Sequence, residues 1–435
     1  MPIKNISRRK FILTTLAGTA GLSAFPLIKS CSTPANDVIR LGIIGLGRQA
    51  MYLWNGFRDI EGVQIVAGAD VYGIKRERFE KHMNDFYSEK EQNIKVETYE
   101  HYHQILNRDD IDAVVVATPD HWHGIIGVES CEAGKDIYME KPLTFTIKEG
   151  VELVKAVRNN NRILATGSQQ RSDESFRHAV EMVRNGALGN IEKAHAYVGG
   201  PPIPYDLPEE PVPEDLNWDL WLGPNPYVHY NHELNPPISL DPPRDERIWG
   251  AWRWYKEMGG GFTTDWGAHM FDIVQWALDK DDSGPLRIIP AGYQDYEYLT
   301  YIYNQGVVMT EEPFDDAMTK GVKFIGTDGW IEVSRGHYKA SDPSLMPPEE
   351  TEREEGVAYE TGIPHLMDFI RSVRNRTDPV APVEVGHRTA TTCTLGNIAY
   401  ELMRPVEWNP ATESFVNDPE AEEHYHRDYR SGYSL

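Results

Sequence analysis

Two short stretches carry the residue types that can move a proton to or from a hydroxyl group. Glu140-Lys141-Pro142 follows the apolar run Lys135 to Met139, and Asp265 stands four residues before His269 in Asp265-Trp266-Gly267-Ala268-His269. Histidine titrates near neutrality, so His269 suits the role of general base toward a secondary hydroxyl. Lys141 can donate hydrogen bonds to the reacting oxygen. On one continuous helix, Asp265 shares a face with His269 and could orient the ring or bind a neighbouring hydroxyl. The competing reading makes His269 a satisfied core histidine, on the helical period of Trp266, Met270, Ile273 and Trp276. Proline after a buried strand end places Lys141 in a cleft rather than on open surface.

The elements that must position these groups begin with the buried-strand pattern Val38 to Ile44. It runs into Gly45-Leu46-Gly47-Arg48-Gln49-Ala50 and then an apolar-periodic helix. A G-x-G-x-x-A pattern gains meaning when it opens a helix directly after a strand. Gly45 permits the tight turn, Gly47 lets a pyrophosphate approach the backbone, and Ala50 keeps helix and strand close. The next strand, Val63 to Ala69, ends on Asp70, twenty residues past Ala50. A carboxylate there accepts bonds from ribose hydroxyls and repels a 2′-phosphate, which favours NAD(H) over NADP(H). Lys75, Arg76 and Arg78 lie nearby and blur that preference, and a helix N-cap is the alternative role for Asp70. Strand Asp112 to Thr118, helix His121 to Ala133, strand Lys135 to Met139, helix Ile147 to Asn159 and strand Arg162 to Gly167 continue the alternation. Such alternation predicts a parallel, doubly wound sheet over residues 36–165.

Ala117-Thr118-Pro119-Asp120-His121-Trp122-His123, Glu140-Lys141-Pro142 and the stretch Gly259 to Asp272 together resemble the glucose–fructose oxidoreductase / inositol dehydrogenase / rhizopine-catabolism (Gfo/Idh/MocA) family. Gly167-Ser168-Gln169-Gln170-Arg171 and a late strand, Val322 to Gly329, extend the resemblance over nearly the whole chain after the leader. The resemblance implies an N-terminal Rossmann domain and a C-terminal α+β domain, residues 166–410, with an open, mainly antiparallel sheet. It implies Lys141, His269 and Asp265 as catalytic residues and a cis bond at Pro142. Gly45, Gly47, Arg48, Gln49, Asp70, Thr118, Pro119, His123, Glu140, Lys141 and Gln169 would face the cofactor; His121 would only cap a helix. Asp272 reads as structural. The family often forms dimers or tetramers through the open sheet, so a homo-oligomer is expected.

Residues 200–255 are an excursion dense in proline and aromatics; twelve of the 29 prolines fall between Pro201 and Pro243. No helix or central strand tolerates that density, so the segment reads as an ordered excursion or a lid. Trp218, Trp221, Tyr227, Tyr230, Trp249, Trp252, Trp254 and Tyr255 are candidates to stack on a sugar or to staple the excursion to the core. Trp254, Tyr255 and Arg171 are the substrate-binding candidates. Strands are expected at Tyr296 to Tyr303, Gly306 to Thr310, Gly321 to Ile325 and Gly329 to Ser334, and helices at Pro364 to Arg374 and His387 to Met403. Residues 411–435 show no periodicity and read as a tail.

A net charge of −24 repels phosphate backbones and argues against nucleic acid. Three cysteines are too few for a disulfide framework. His-x-His occurs at 101/103, 121/123 and 424/426, none with a third ligand at metal spacing, so no metal is expected. Residues 1–31 resemble a twin-arginine secretion signal, from Ser7-Arg8-Arg9-Lys10-Phe11 and the mildly apolar run after it. Cys31 marks a lipoprotein-like box that Lys29 breaks; a lipid there would be the only membrane link. Export to the periplasm or beyond is therefore the expectation. Three functions fit: an exported NAD-dependent oxidoreductase of a sugar or glycoside, an NAD-dependent glycosidase whose cycle is redox-neutral, and a non-catalytic sugar-binding lipoprotein.

Overall fold

The computed structural model describes residues 38–243, 246, 248–348 and 362–435. The leader with its arginine pair, and Cys31, lie outside the described residues. Among the described residues no helix is long and apolar enough to cross a membrane.

Six parallel strands form the first sheet: β1 (Ile39–Ile44), β2 (Val63–Ala69), β3 (Glu97–Tyr99), β4 (Ala113–Val116), β5 (Asp136–Met139) and β6 (Leu164–Thr166). Their order is β3-β2-β1-β4-β5-β6, the doubly wound dinucleotide-binding order. β4 is Ala-Val-Val-Val, all buried, because helices cover both faces of such a sheet. The helix Arg48–Phe57 follows β1, and the helix Ile147–Asn159 starts on a Thr146/Glu149 capping box.

The second sheet has nine strands: β7 (Ile191–Tyr197), β8 (Arg287–Ile289), β9 (Thr300–Ile302), β10 (Val308–Thr310), β11 (Gly321–Gly326), β12 (Gly329–Ser334), β13 (His337–Ala340), β14 (Val406–Asn409) and β15 (Ser414–Phe415). Their order is β13-β12-β11-β7-β10-β9-β8-β14-β15, antiparallel except for the β7–β10 pair. The Rossmann domain with an α+β partner is thus the observed fold class. The strand expected at 306–310 begins two residues later, because Asn304–Gly306 makes a 3₁₀ turn. β7, β8 and β13 to β15 carried no legible pattern.

Two segments return to the first domain from far along the chain. Helix Ile363–Asn375 buries Leu366, Phe369, Ile370 and Val373 in the core around β1 and β2. Phe369 meets Phe57 and Tyr138 edge-to-face at 6.1 and 5.8 Å. Each such side chain contributes about 1.5–3 kcal/mol by leaving water. The residues read as a tail without periodicity supply β15 and a strap across the first domain. Along that strap, Tyr429 donates to Glu149 Oε1 at 2.6 Å and Arg430 Nε to the Gly223 carbonyl at 3.0 Å.

Candidate active site

A cavity of about 540 Å³ runs from the first glycine turn to the start of helix Gly267–Ala277. At one end Gly45 has φ +82°, and a Cβ there would lie 2.7 Å from the Ala117 carbonyl oxygen. Only glycine fits. Gly47 holds the N-cap position of the helix Arg48–Phe57 without any side-chain cap bond, nothing lies within 4 Å of where its Cβ would be, and the first turn holds no acidic side chain. An uncapped helix start facing open space suits a pyrophosphate. Thr118 lines the same stretch, and its Oγ1 is buried without a partner among the described residues. These residues fit a dinucleotide.

Asp70 closes the turn as well as facing the cavity. Its carboxylate accepts from Leu46 N at 2.7 Å and from Tyr72 N at 2.9 Å. Asp70→Ala should weaken NAD(H) binding and raise relative use of NADP(H), because acceptor and repulsive charge go together. Titrating both nucleotides checks this; equal losses would show that Asp70 serves only the turn. Arg48 bonds the Tyr52 hydroxyl and stacks on its ring, and both side chains line the cavity. Further in, Gln49 and Gln169 both donate to Glu140 Oε1, at 2.8 and 3.2 Å, and burial raises the Glu140 pKa. Pro119 lines the cavity beside Thr118.

At the other end, Lys141 Nζ donates to the Asp265 carbonyl at 2.9 Å and to Asp265 Oδ1 at 2.7 Å. The Lys141–Pro142 peptide is cis. Burial alone would raise the Asp265 carboxyl, but Lys141 and Arg253 overcome it and hold it below the ordinary value. His269 lines the cavity with its Nδ1 buried and unpartnered among the described residues. Burial, with Lys141 and Arg335 beside it, holds its pKa well below the usual histidine value. The ring is therefore neutral and able to accept a proton.

Several expectations need correction. Asp265 does not orient His269, and the two do not share one helix. Helices Gly261–Asp265 and Gly267–Ala277 break at Trp266 because Lys141 takes the Asp265 carbonyl; His269 N turns to the Trp266 carbonyl at 2.9 Å. Arg171 does not reach the cavity. It is buried and chelates Asp272, with bonds of 2.8 Å to both carboxylate oxygens, and also binds Asp281. His123 does not face the cofactor either, since its two ring nitrogens are held by the Pro142 carbonyl at 2.9 Å and the Thr118 carbonyl at 3.1 Å. It positions Thr118 and the Lys141–Pro142 turn. His121 is likewise buried, against the Trp221 carbonyl at 3.0 Å. Tyr255 is a staple, buried edge-on against Tyr205 at 5.2 Å.

The excursion forms one wall of the cavity. Leu234, Asn235, Trp249, Trp252 and Trp254 line it, and Asn235 accepts from buried Lys75 on the first domain. Trp254 stacks on Phe262 at 4.1 Å, whereas Trp218 and Tyr230 are buried in the excursion's own core. Asp120 and Arg253 are lining residues that sequence reasoning missed. Asp120 sits inside the quoted Thr118-to-His123 motif, and burial pushes its carboxyl up to about 8, so it carries a proton at neutral pH.

Buried neutral histidines also set an acid limit. Burial pushes His121 down to about 3 and His123 to about 4, and lowers His365. Groups with depressed folded pKa values contribute stability that is present above about pH 6.5 and is lost as pH falls. The unfolding temperature should therefore drop as pH is lowered from about 6.5 toward 4. A calorimetric series across that range checks it; a flat profile would contradict burial of these rings as neutral species.

Two domain models of one family match the chain. The model described as an oxidoreductase family, NAD-binding Rossmann fold, matches residues 39–168, and that described as an oxidoreductase family, C-terminal alpha/beta domain, matches residues 202–435. The chain belongs to the Gfo/Idh/MocA oxidoreductase family. Its first domain is an NAD-binding Rossmann domain. Among curated relatives, a glycosyl hydrolase family 109 protein 2 of Shewanella sp. (strain ANA-3) is 31% identical over 228 residues, 52% of this chain and 48% of that protein. An alpha-N-acetylgalactosaminidase of Shewanella oneidensis is 26% identical over 209 residues, 43% of this chain and 44% of that one. The chain thus matches about half the length of these relatives. The WlbA dehydrogenase of Bordetella pertussis, solved with NADH and UDP-GlcNAcA, shares the fold with a TM-score of 0.62 at 16% identity, over 86% of this chain and 99% of that one.

Proposed function

We propose that the chain is an NAD-dependent oxidoreductase acting on a secondary hydroxyl of a sugar or glycoside. The observation that carries this reading is the convergence of Lys141, fixed on Asp265, with a neutral His269 at the end of a cavity whose other end is the glycine cradle. When bound, NAD supplies a hydride acceptor and, once reduced, a donor. Gly45, Gly47, Asp70, Thr118 and Glu140 would hold it. His269 takes the hydroxyl proton. Lys141 donates to the same oxygen and stabilises its developing negative charge. Asp265 is a positioning residue, holding Lys141 by two bonds. The tryptophan wall excludes water and offers apolar faces to sugar C–H groups.

The matches to glycosyl hydrolase family 109 proteins favour a second reading with the same groups. Oxidation to a ketone acidifies the neighbouring C–H, the aglycone leaves by elimination, water adds and the ketone is reduced again. Product analysis separates the two. Net keto-sugar with reduced nucleotide supports a dehydrogenase; free aglycone with no net redox change, for instance from an α-N-acetylgalactosaminide, supports the glycosidase. Neither product from a broad glycoside panel would sink both and favour a non-catalytic sugar-binding role.

The export reading adds a condition. An enzyme working outside the cytoplasm meets no pool of free NAD, so the nucleotide would be loaded before export and retained. Retention needs about 12 kcal/mol of binding, or nanomolar affinity. Protein purified without added nucleotide, dialysed and denatured should release near-stoichiometric NAD(H). An empty site of weak affinity would contradict retention and weaken the export reading with it.

A further inference from the structure

The substrate end of the cavity is cationic in a protein that is strongly anionic overall. Lys141, Arg253 and Arg335 line it together with Asp265, whose carboxyl Lys141 and Arg253 hold below the ordinary value against the effect of burial, and Asp120, whose carboxyl burial pushes up to about 8. Lys141 is committed to Asp265 by two hydrogen bonds. Arg253 is not. It belongs to the 3₁₀ turn Ala251–Trp254, with its guanidinium 4.9 Å from the ring centre of Trp249 and 4.6 Å from that of Trp252. Nη1 donates to the Gly250 carbonyl at 2.9 Å. Nε stands 3.7 Å from Asp265 Oδ1, beyond hydrogen-bonding distance, and that oxygen already accepts from Lys141 at 2.7 Å.

Among the described residues most of the five donors of this guanidinium thus have no hydrogen-bond partner, in a group held by two indoles and a backbone carbonyl. A guanidinium fixed beforehand loses little rotamer freedom on binding and matches an oxyanion with paired hydrogen bonds. Its position limits what it can bind. Arg253 and Lys141 approach the same oxygen of Asp265, so a group on Arg253 lies within about one sugar ring of the hydroxyl on Lys141 and His269. The pyrophosphate cradle at Gly47 is at the far end of the cavity, so the cofactor's own phosphates do not explain Arg253.

We propose that Arg253 is the recognition site for an oxyanion borne by the substrate, and that the substrate is an acidic sugar, carrying a carboxylate or a sulfate. Trp249, 46% exposed at the mouth, is placed to cover the ring that bears it. The inference rests on reading the cavity as a sugar site and narrows the class of sugar.

The test is calorimetric titration of protein loaded with NADH, which has no hydride acceptor and so reads binding without sugar oxidation; reduction of bound NAD by the same sugars is followed separately. D-glucuronate and D-galacturonate are compared with D-glucose and D-galactose, and glucose 6-sulfate and galactose 6-sulfate form a third arm that separates sulfate from carboxylate recognition. At least one anionic sugar should bind about tenfold or more tightly than its neutral parent, the usual scale for a charge-assisted pair. Arg253→Gln should abolish that preference, and Arg253→Lys should restore part of it, since a point charge replaces a fork. Equal binding of neutral and acidic sugars by the wild type would overturn the proposal without needing any variant. A preference that survives Arg253→Gln would overturn it too, and either result leaves the redox reading intact. A lost redox reading shows differently, as acid-selective binding with no sugar able to reduce the bound nucleotide. Absence of binding by every sugar would overturn both.

Discussion

His269→Ala is expected to lower turnover by about two to four decades while nucleotide affinity changes little. Among the described residues the ring makes no hydrogen bond that the fold depends on and its Nδ1 is buried and unpartnered, so truncation removes a base and leaves little else unmet. Burial beside Lys141 and Arg335 keeps the imidazole neutral, the form that accepts a proton. Lys141→Ala should do comparable harm to turnover. It should also disturb stability, because it strips the partly buried Asp265 carboxylate of its closest cation. The two variants are therefore distinguishable by denaturation as well as by rate. Single-turnover kinetics with bound nucleotide checks both. Near-wild-type turnover in His269→Ala would move the base to Lys141 or to another group lining the cavity.

Asp272→Ala is expected to cost about 3–5 kcal/mol of stability, the range for breaking a buried pair by removing one partner. Arg171 and Asp272 are both almost fully buried, joined by two bonds of 2.8 Å, and Thr389 Oγ1 donates to Asp272 Oδ1 at 2.9 Å. Burial would lower the Arg171 pKa, but Asp272 and Asp281 outweigh it and hold the guanidinium charged. Removing Asp272 leaves that charge with Asp281 alone, a partner about one-third exposed. The pair ties the helix that bears His269 to the turn that bears Gln169, so cofactor affinity should fall as well. Denaturant titration checks the stability term, with Arg404→Ala as reference. That residue pairs with Asp418 and Glu420 nearer the surface and should cost about 1 kcal/mol or less. Similar losses for both variants would contradict the account of the buried pair.

The parts of this protein that local chemistry determines were legible in its sequence. A glycine turn between a buried strand and a helix has one plausible structural consequence, and Gly45 at φ +82° meets it. Alternating apolar runs gave the parallel sheet because both of its faces are covered. Distant pairings were not legible. Arg171 looks like a ligand for a substrate until Asp272, 101 residues away, is brought against it. The four-residue spacing of Asp265 and His269 promised one helical face, but a lysine from the other domain diverts the Asp265 carbonyl and ends the first helix there. The tail lacks periodicity because side-chain bonds to distant backbone, such as Arg427 Nη1 to the Glu257 carbonyl at 2.9 Å, hold it in place of a repeating apolar face. Which tryptophans face the cavity depends on how the excursion folds back on itself, and composition cannot say that.

The central claim is that a sugar hydroxyl reaches a bound nicotinamide beside Lys141 and His269. The measurement that tests it most directly is the near-ultraviolet absorbance of NAD-loaded protein mixed with neutral and acidic glycosides in a single turnover. The account predicts that at least one sugar produces the absorbance of reduced nicotinamide, transiently if aglycone is then released and persistently if a keto-sugar accumulates. It also predicts that His269→Ala slows the rise by about two decades or more. A protein that holds NAD stoichiometrically, yet shows no reduction with any sugar in the panel and releases no aglycone, would contradict it.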